Sequence, residues 1–217
     1  MDTFLTLFDS DFFSATIRLA TPLLFATLGG ILNERAGVIN IGLEGIMLMG
    51  ALSGVFGAWF LKSPWLGFLC GVLVGIIISW IHGFLSISLK ANQIVSGAAI
   101  NLIGLGLSSF LIRIVFGLKE QQRVVPHFSP LDIPHLSNIP VLGPILFNQI
   151  ALVYLALLLV PVMWIVLYRT RWGLMVTSVG EHPQAAASVG INPLNVRYVC
   201  VLLSGALAGA GGAVLSL

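Results

Sequence analysis

The chain has 217 residues, of which 58% are hydrophobic and 8% charged, with a formal net charge of +2 and a mean hydropathy of +1.04. A soluble domain carries about 25% charged residues, so this composition excludes an ordinary water-soluble protein. The small net charge and the lack of a basic cluster give no indication of nucleic-acid binding. Because the apolar runs are continuous rather than alternating, we expect an all-α integral membrane protein.

Six apolar segments are each close to the ~20 residues needed to cross ~30 Å of hydrocarbon. They predict a polytopic helical bundle that forms one transmembrane domain over residues 1–217. Glycines spaced four apart predict close helix packing within it, at Gly50/Gly54, Gly71/Gly75 and Gly205/Gly209. The predicted spans are Phe13–Leu32, Val38–Leu61, Trp65–Leu89, Ile94–Gly117, Ile150–Tyr168 and Tyr198–Leu217.

The start of the second span carries an unusual acid. Asn40 and Glu44 are four residues apart and are predicted to share a helical face. Glu44 follows Gly37 by seven residues, or roughly 10 Å at 1.5 Å per residue. A carboxylate at that depth is costly and by default marks a functional or tightly paired site. Glu44 therefore either lines a translocation path or locks the bundle through bonds to neighbouring helix ends.

The fourth span and its approach carry a stripe of polar side chains. Asn101 and Ser108 are seven residues apart and so lie near one face of a helix. Such a stripe can line a path for a hydroxyl-rich solute, and the alternative for each member is hydrogen bonding between helices. The stripe consists of Asn92, Gln93, Ser96, Asn101, Ser108 and Ser109. Together, the candidates for a translocation path are Asn40, Glu44 and Asn101.

Two connections are long. Leu118–Gln149 contains five prolines, which forbid a long helix and predict an ordered, partly interfacial loop. In Arg169–Arg197, Pro183 suits the first turn of a helix over Gln184–Val189, and Gly190 is placed to end that helix in a left-handed cap. A helix this short is marginal alone, so we expect it to dock against another protein.

Several classes of site are missing from the sequence. It contains no phosphate-binding loop, no paired carboxylates and no HExxH motif, so we expect no catalytic site, no metal and no cofactor, and no nucleotide hydrolysis by this chain. Glu44 is the only acid predicted deep in a span, which disfavours an ion-driven carrier. With Arg169–Arg197 in the cytoplasm, the basic flanking residues favour an N-terminus outside the cell. Counting Arg18 and Arg113, which lie toward the outer ends of their spans, makes the numbers equal and leaves the orientation open.

The last predicted span ends at Leu217 without a polar flank, a basic anchor or an aromatic belt residue. A membrane protein seldom stops inside its own apolar run, so we expect a C-terminally truncated chain. The alternative is a short natural tail that emerges at the interface.

Three blocks of the sequence carry a recognisable pattern. They are Asn33–Gly45, Lys90–Gly97, and Tyr168–Leu174 followed by Gly180–Pro183 and Ala185–Ile191. These blocks resemble ABC importer permeases of the branched-chain amino acid/simple sugar group. Within that group they are most similar to the nucleoside-type subset, which is paired with basic-membrane-lipoprotein-type binding proteins. The resemblance covers nearly the whole chain and implies a type II-like permease fold with further spans after Ser204–Gly209.

The resemblance also implies a function and partners. It implies the permease subunit of an ATP-driven importer of nucleosides or simple sugars, multi-pass in the bacterial cell (inner) membrane. The implied partners are an ATP-binding subunit, a second homologous permease subunit and an extracytoplasmic substrate-binding lipoprotein, with membrane lipid around the spans. The alternatives are a secondary carrier or channel for a small polar solute, a branched-chain amino acid as the ABC substrate, and a non-transporting scaffold.

Arg169–Arg197 resembles the EAA-type loop that fits a cleft on the ATP-binding subunit, which implies a cytoplasmic position. A single departure is His182, where asparagine is common in the family. By this resemblance the coupling helix is formed by Glu181, Ala185, Ala186, Gly190 and Ile191.

Overall fold

The computed structural model of the chain describes residues 10–117, 125–132 and 147–217. Six of the helices in this part are long and apolar enough to cross a membrane, which confirms the predicted all-α bundle. The spanning helices are α1 (Ser10–Arg35), α2 (Leu43–Leu61), α3 (Pro64–Gly83, continued by a π-helical turn over Phe84–Ser88), α4 (Gln93–Phe116), α5 (Ala151–Arg169) and α8 (Pro193–Ser216). Two shorter helices, α6 (Arg171–Glu181) and α7 (Pro183–Ser188), lie between α5 and α8.

Helix α8 is the centre of the bundle, where it packs against α1, α2 and α3. Its small residues allow the backbones to approach closely, because no side chain separates the helices. A Cβ atom at Gly75 of α3, or at Gly50 of α2, would stand 2.8 Å from Gly209 Cα. Gly205 lies directly against Gly75 and Ser79. The predicted packing role of these small-residue pairs is confirmed.

Two span starts differ from the prediction by five residues, more than the other boundaries do. Helix α2 begins at Leu43 rather than Val38, because residues 36–42 leave helical geometry, with Gly37 at a φ of 73°. Helix α8 begins five residues before the predicted Tyr198. There Asn192 caps it by accepting hydrogen bonds from Leu194 N and Asn195 N, and Pro193 occupies the first turn.

The proline-rich connection is described in part, and its residues 118–124 and 133–146 lie outside the described residues. Leu131–Asp132 (β1) pairs antiparallel with Asn148–Gln149 (β2). Arg18 of α1 donates from Nε to Gln149 Oε1 at 3.0 Å and from Nη2 to Asn148 O at 3.2 Å. The charge of Arg18 within the first span is therefore met by polar groups of this connection.

Candidate functional site

The connection between α1 and α2 is irregular backbone in which buried and exposed residues alternate. We call residues 36–42 the buried connection after its four buried residues, Ala36, Val38, Asn40 and Gly42. Non-helical backbone at membrane depth is tolerated only where protein groups satisfy its N–H and C=O groups. The partners of these groups therefore define how this part of the chain is built.

Side chains from three helices bind the backbone of the buried connection. Arg197 Nε of α8 donates to Ala36 O at 3.2 Å, and Gln93 Oε1 of α4 accepts from Ile39 N at 2.7 Å. His82 Nε2 of α3 lies 3.3 Å from Ile39 O. Because a carbonyl can only accept, a hydrogen bond to Ile39 O requires the proton on His82 Nε2, and in that tautomer Nδ1 accepts from Ser96 Oγ at 3.1 Å.

Asn101 of α4 holds the end of the buried connection and the start of α2. Its Oδ1 accepts from Gly45 N at 2.7 Å, and its Nδ2 donates to Ile41 O at 3.0 Å. Gly45 lies in the first turn of α2, and its N–H group therefore has no partner within the helix. Asn101 thus supplies a cap from another helix, and both of its polar groups are engaged within the chain.

The three candidate path residues lie in different environments. Asn40 is 8% exposed, its Oδ1 accepts from Gly42 N at 2.9 Å, and its Nδ2 has no hydrogen-bond partner. Glu44 is exposed in the first turn of α2, where the helix dipole favours a carboxylate. The predicted shared helical face of Asn40 and Glu44 is wrong, because Asn40 precedes the helix. The predicted depth of Glu44 in the span, which was counted as helix from Gly37, is wrong for the same reason.

Helices α6 and α7 form a pair at one end of the bundle, which we call the α6–α7 end. The predicted short helix is confirmed as α7, with Pro183 in its first turn and Gly190 at a φ of 88° beyond its end. Helix α6 was not predicted, although Thr170 marks its start by accepting from Gly173 N at 3.2 Å. Glu181 is the last residue of α6, so it lies at that helix's negative end as well as ahead of α7.

An open groove of about 450 Å³ lies between α6 and α7. Leu174 and Val189 on its walls are 72% and 75% exposed, which leaves large apolar side chains uncovered within this chain. Four of the five predicted coupling residues line the groove, and the fifth, Gly190, ends α7 beside it. The four are Glu181, Ala185, Ala186 and Ile191.

Two residues of this region were missed at the level of sequence. His82 is fully buried and Arg197 binds Ala36 O, yet in the sequence the first is an isolated histidine and the second a flanking charge. For His82 the available signal was an ionisable side chain inside an apolar span, which in a membrane marks a residue with a specific partner. Arg197 stands just before its predicted span and gave no such signal.

Six apolar helices, a buried irregular connection and an amphipathic helix pair at one end define a polytopic α-helical membrane protein. The chain belongs to the family described as branched-chain amino acid transport system/permease component, which it matches over residues 12–217. This family and the six apolar helices make it a multi-pass protein of the bacterial inner membrane. No solved structure matches the chain.

Three curated relatives are named as transporter permeases. The chain is 41% identical over 207 residues to the guanosine ABC transporter permease protein NupQ of Bacillus subtilis, covering 92% of this chain and 65% of the relative. It is 43% identical over 205 residues to the nucleoside ABC transporter permease protein NupC of Lactococcus lactis, covering 90% and 63%. It is 42% identical over 214 residues to the putative glucose ABC transporter permease protein TsgC13 of Haloferax volcanii, covering 97% and 64%. The chain thus spans somewhat under two thirds of the length of these relatives.

Proposed function

We propose that the chain is a single permease domain of an ATP-driven importer and that it moves nucleosides or simple sugars across the membrane. The observation that carries this proposal is the exposed apolar groove between α6 and α7, in a chain whose relatives are named ABC transporter permeases. A permease of this kind hydrolyses no nucleotide itself, so it depends on an ATP-binding subunit.

The α6–α7 pair is suited to docking such a subunit. Ala185 and Ala187 are exposed and small, so a partner surface can approach the α7 backbone closely. Ala186 packs inward, and its carbonyl accepts from Ile191 N at 3.1 Å, which closes the C-terminal end of α7 after Gly190. In this proposal the α6–α7 end faces the cytoplasm, Glu181 is the charged contact at the edge of the groove, and the exposed apolar side chains are covered by the ATP-binding subunit.

The solute path is proposed to run past the start of α2. Asn40 keeps a buried amide donor without a partner, and an unpaired buried polar group costs about 1–3 kcal/mol, which favours a ligand or water as its missing acceptor. Glu44 adds an exposed carboxylate acceptor four residues further along the chain. An amide donor and a carboxylate acceptor together suit the hydroxyl groups that nucleosides and sugars share. Asn101 positions both residues rather than contacting the solute.

The remaining partners follow from the architecture of importers. Many of the large apolar side chains of α4 are exposed in the isolated chain, including Leu102 at 73%. Lipid covers such a surface, and a second, homologous permease subunit would close the path on its open side. Delivery of solute from outside the cell would be the task of an extracytoplasmic substrate-binding lipoprotein.

An uptake assay tests this proposal. A strain unable to make purines and pyrimidines would express the gene with its partner subunits, and uptake of labelled uridine, adenosine, ribose and leucine would be measured. We expect nucleoside uptake that is abolished by Glu181→Lys, whereas Asn195→Lys, an added charge on the exposed start of α8, leaves uptake close to wild type. Ribose or leucine uptake in place of nucleosides would overturn the solute class. Uptake indifferent to Glu181→Lys would contradict the coupling role.

A further inference from the structure

The end of α6 touches the buried connection through backbone alone. A Cβ atom built on Gly180 would overlap Arg35 O and would stand 3.1 Å from Arg35 C and 3.2 Å from Gly37 N. From the other side, a Cβ atom on Gly37 would stand 3.1 Å from Gly180 O. Gly37 also has a φ of 73°, a conformation that glycine adopts without strain. No flexible side chain separates α6 from the turn that follows α1.

The residues on either side of Gly37 in the buried connection are also closely packed. Ala36 is fully buried between Val176 of α6 and Cys200 of α8, and Arg197 binds its carbonyl. Val38, two residues on, packs against Ile87 and Val201. Close-packed interiors transmit displacement because they contain few voids to absorb it. A shift of the end of α6 therefore moves residues 36–38 with it.

The far side of the buried connection carries Asn40 and leads into Glu44. The backbone between them is fixed by His82, Gln93 and Asn101, which belong to α3 and α4 rather than to α6 or α8. One end of the connection is thus attached to α6 and α8, and the other end to α3 and α4. A displacement of α6 relative to α3 and α4 must therefore change the geometry of the connection that joins them.

We propose that the contact between Gly180 and Gly37, supported by Arg197, is the mechanical relay from the α6–α7 pair to Asn40 at the start of α2. This inference rests on the proposed function, in which an ATP-binding subunit docks on the pair. Gly180 and Arg197 are positioning residues in it, because neither touches the solute. With this relay, the amount of solute moved per ATP hydrolysed depends on the close contact between the backbones of Gly180 and Gly37.

The test measures solute taken up per ATP hydrolysed by the assembled transporter in proteoliposomes. This ratio does not change when less folded protein is present, so a merely structural defect leaves it unaltered. We expect Gly180→Ala, whose Cβ must push α6 from Arg35 O, to lower the ratio at least fivefold. Gly106→Ala on α4 is the matched control, since a Cβ there meets no atom within 4 Å. The ratio for Gly106→Ala should equal that of the wild type.

Two substitutions of Arg197 test the relay without adding a side chain to the contact between α6 and the buried connection. Arg197→Gln removes the charged donor to Ala36 O and should lower the ratio two- to fivefold, whereas Arg197→Lys keeps a cationic donor and should stay closer to the wild type. A wild-type ratio in both Gly180→Ala and Arg197→Gln, with ATP-driven uptake intact, would overturn the relay alone. If Gly180→Ala does not assemble, a wild-type ratio in Arg197→Gln would overturn it. Wild-type uptake that needs no ATP would overturn the proposed function and the relay together.

Discussion

Substitution of Asn101 by leucine tests the bridge between α4 and the start of α2. Leucine has the same number of side-chain non-hydrogen atoms as asparagine, branched at the same carbon, but removes both hydrogen bonds, so Gly45 N–H and Ile41 C=O lose their partner. A buried polar group left unpaired costs about 1–3 kcal/mol. Gly45 is buried and bears this cost in full, whereas Ile41 is exposed and bears less of it.

The membrane environment lowers the loss of stability expected from the two unpaired groups. Side-chain hydrogen bonds in membrane proteins average about 0.6 kcal/mol in double-mutant cycles, because the unfolded chain also finds partners there. The two groups left unpaired are the Ile41 carbonyl, in non-helical backbone, and the Gly45 N–H, in the first turn of α2. Neither group has an alternative partner within a helix. We therefore expect a loss of about 2 kcal/mol, closer to the cost of an orphaned group than to the membrane average.

The assay is thermal unfolding of the purified protein in detergent, followed with a thiol-reactive dye that gains access to the fully buried Cys200. A loss of about 2 kcal/mol corresponds to a fall of about 4–8 °C in midpoint for a chain of this size. The control is Leu102→Ala, at a 73% exposed position one residue on, where a change within about 0.5 kcal/mol is expected. A midpoint for Asn101→Leu within about 1 °C of the wild type would refute the capping role.

Three further changes test other parts of the structure. Gly205→Leu should cost about 3 kcal/mol or more of stability, because the side chain would overlap Ser79, and the protein should fail to accumulate. The control Gly106→Leu should accumulate normally. Equal accumulation of the two variants would contradict the close packing of α3 and α8. His82→Leu should cost about 1–3 kcal/mol in the same thermal assay, since Ser96 and Ile39 O lose a partner, and an unchanged midpoint would contradict that network. Asn192→Ala should cost about 1 kcal/mol and speed hydrogen exchange at the first amides of α8, and exchange at the wild-type rate would exclude the cap.

Much of the fold was predictable because it depends on local properties of the chain. Continuous apolar length determines where helices can cross the membrane, and the six spans follow from it. Glycine spacing predicted close helix packing, and in the structure Gly71 and Gly75 face Gly205 and Gly209. Local chemistry likewise predicted α7, whose proline start and left-handed Gly190 are features of a few consecutive residues.

The interior of the site was not predictable in the same way. An apolar run around Gly37–Gly42 looks like helix, and only partners distant in sequence make its irregular backbone possible. Asn101 lies 60 residues from the carbonyl it binds, and Arg197 lies 161 residues from its own. The polar stripe of the fourth span therefore had two open explanations, and for Gln93, Ser96 and Asn101 hydrogen bonding between elements is what the structure shows.

The dependence of uptake on ATP tests the central claim most directly. The chain would be reconstituted with its ATP-binding subunit, second permease subunit and binding protein, and uptake of labelled nucleoside would be followed with ATP, without ATP, and with an ionophore. We predict uptake that requires ATP, is insensitive to the ionophore and is lost in Glu181→Lys. Uptake that persists without ATP and collapses with the ionophore would contradict the account and would identify a secondary carrier.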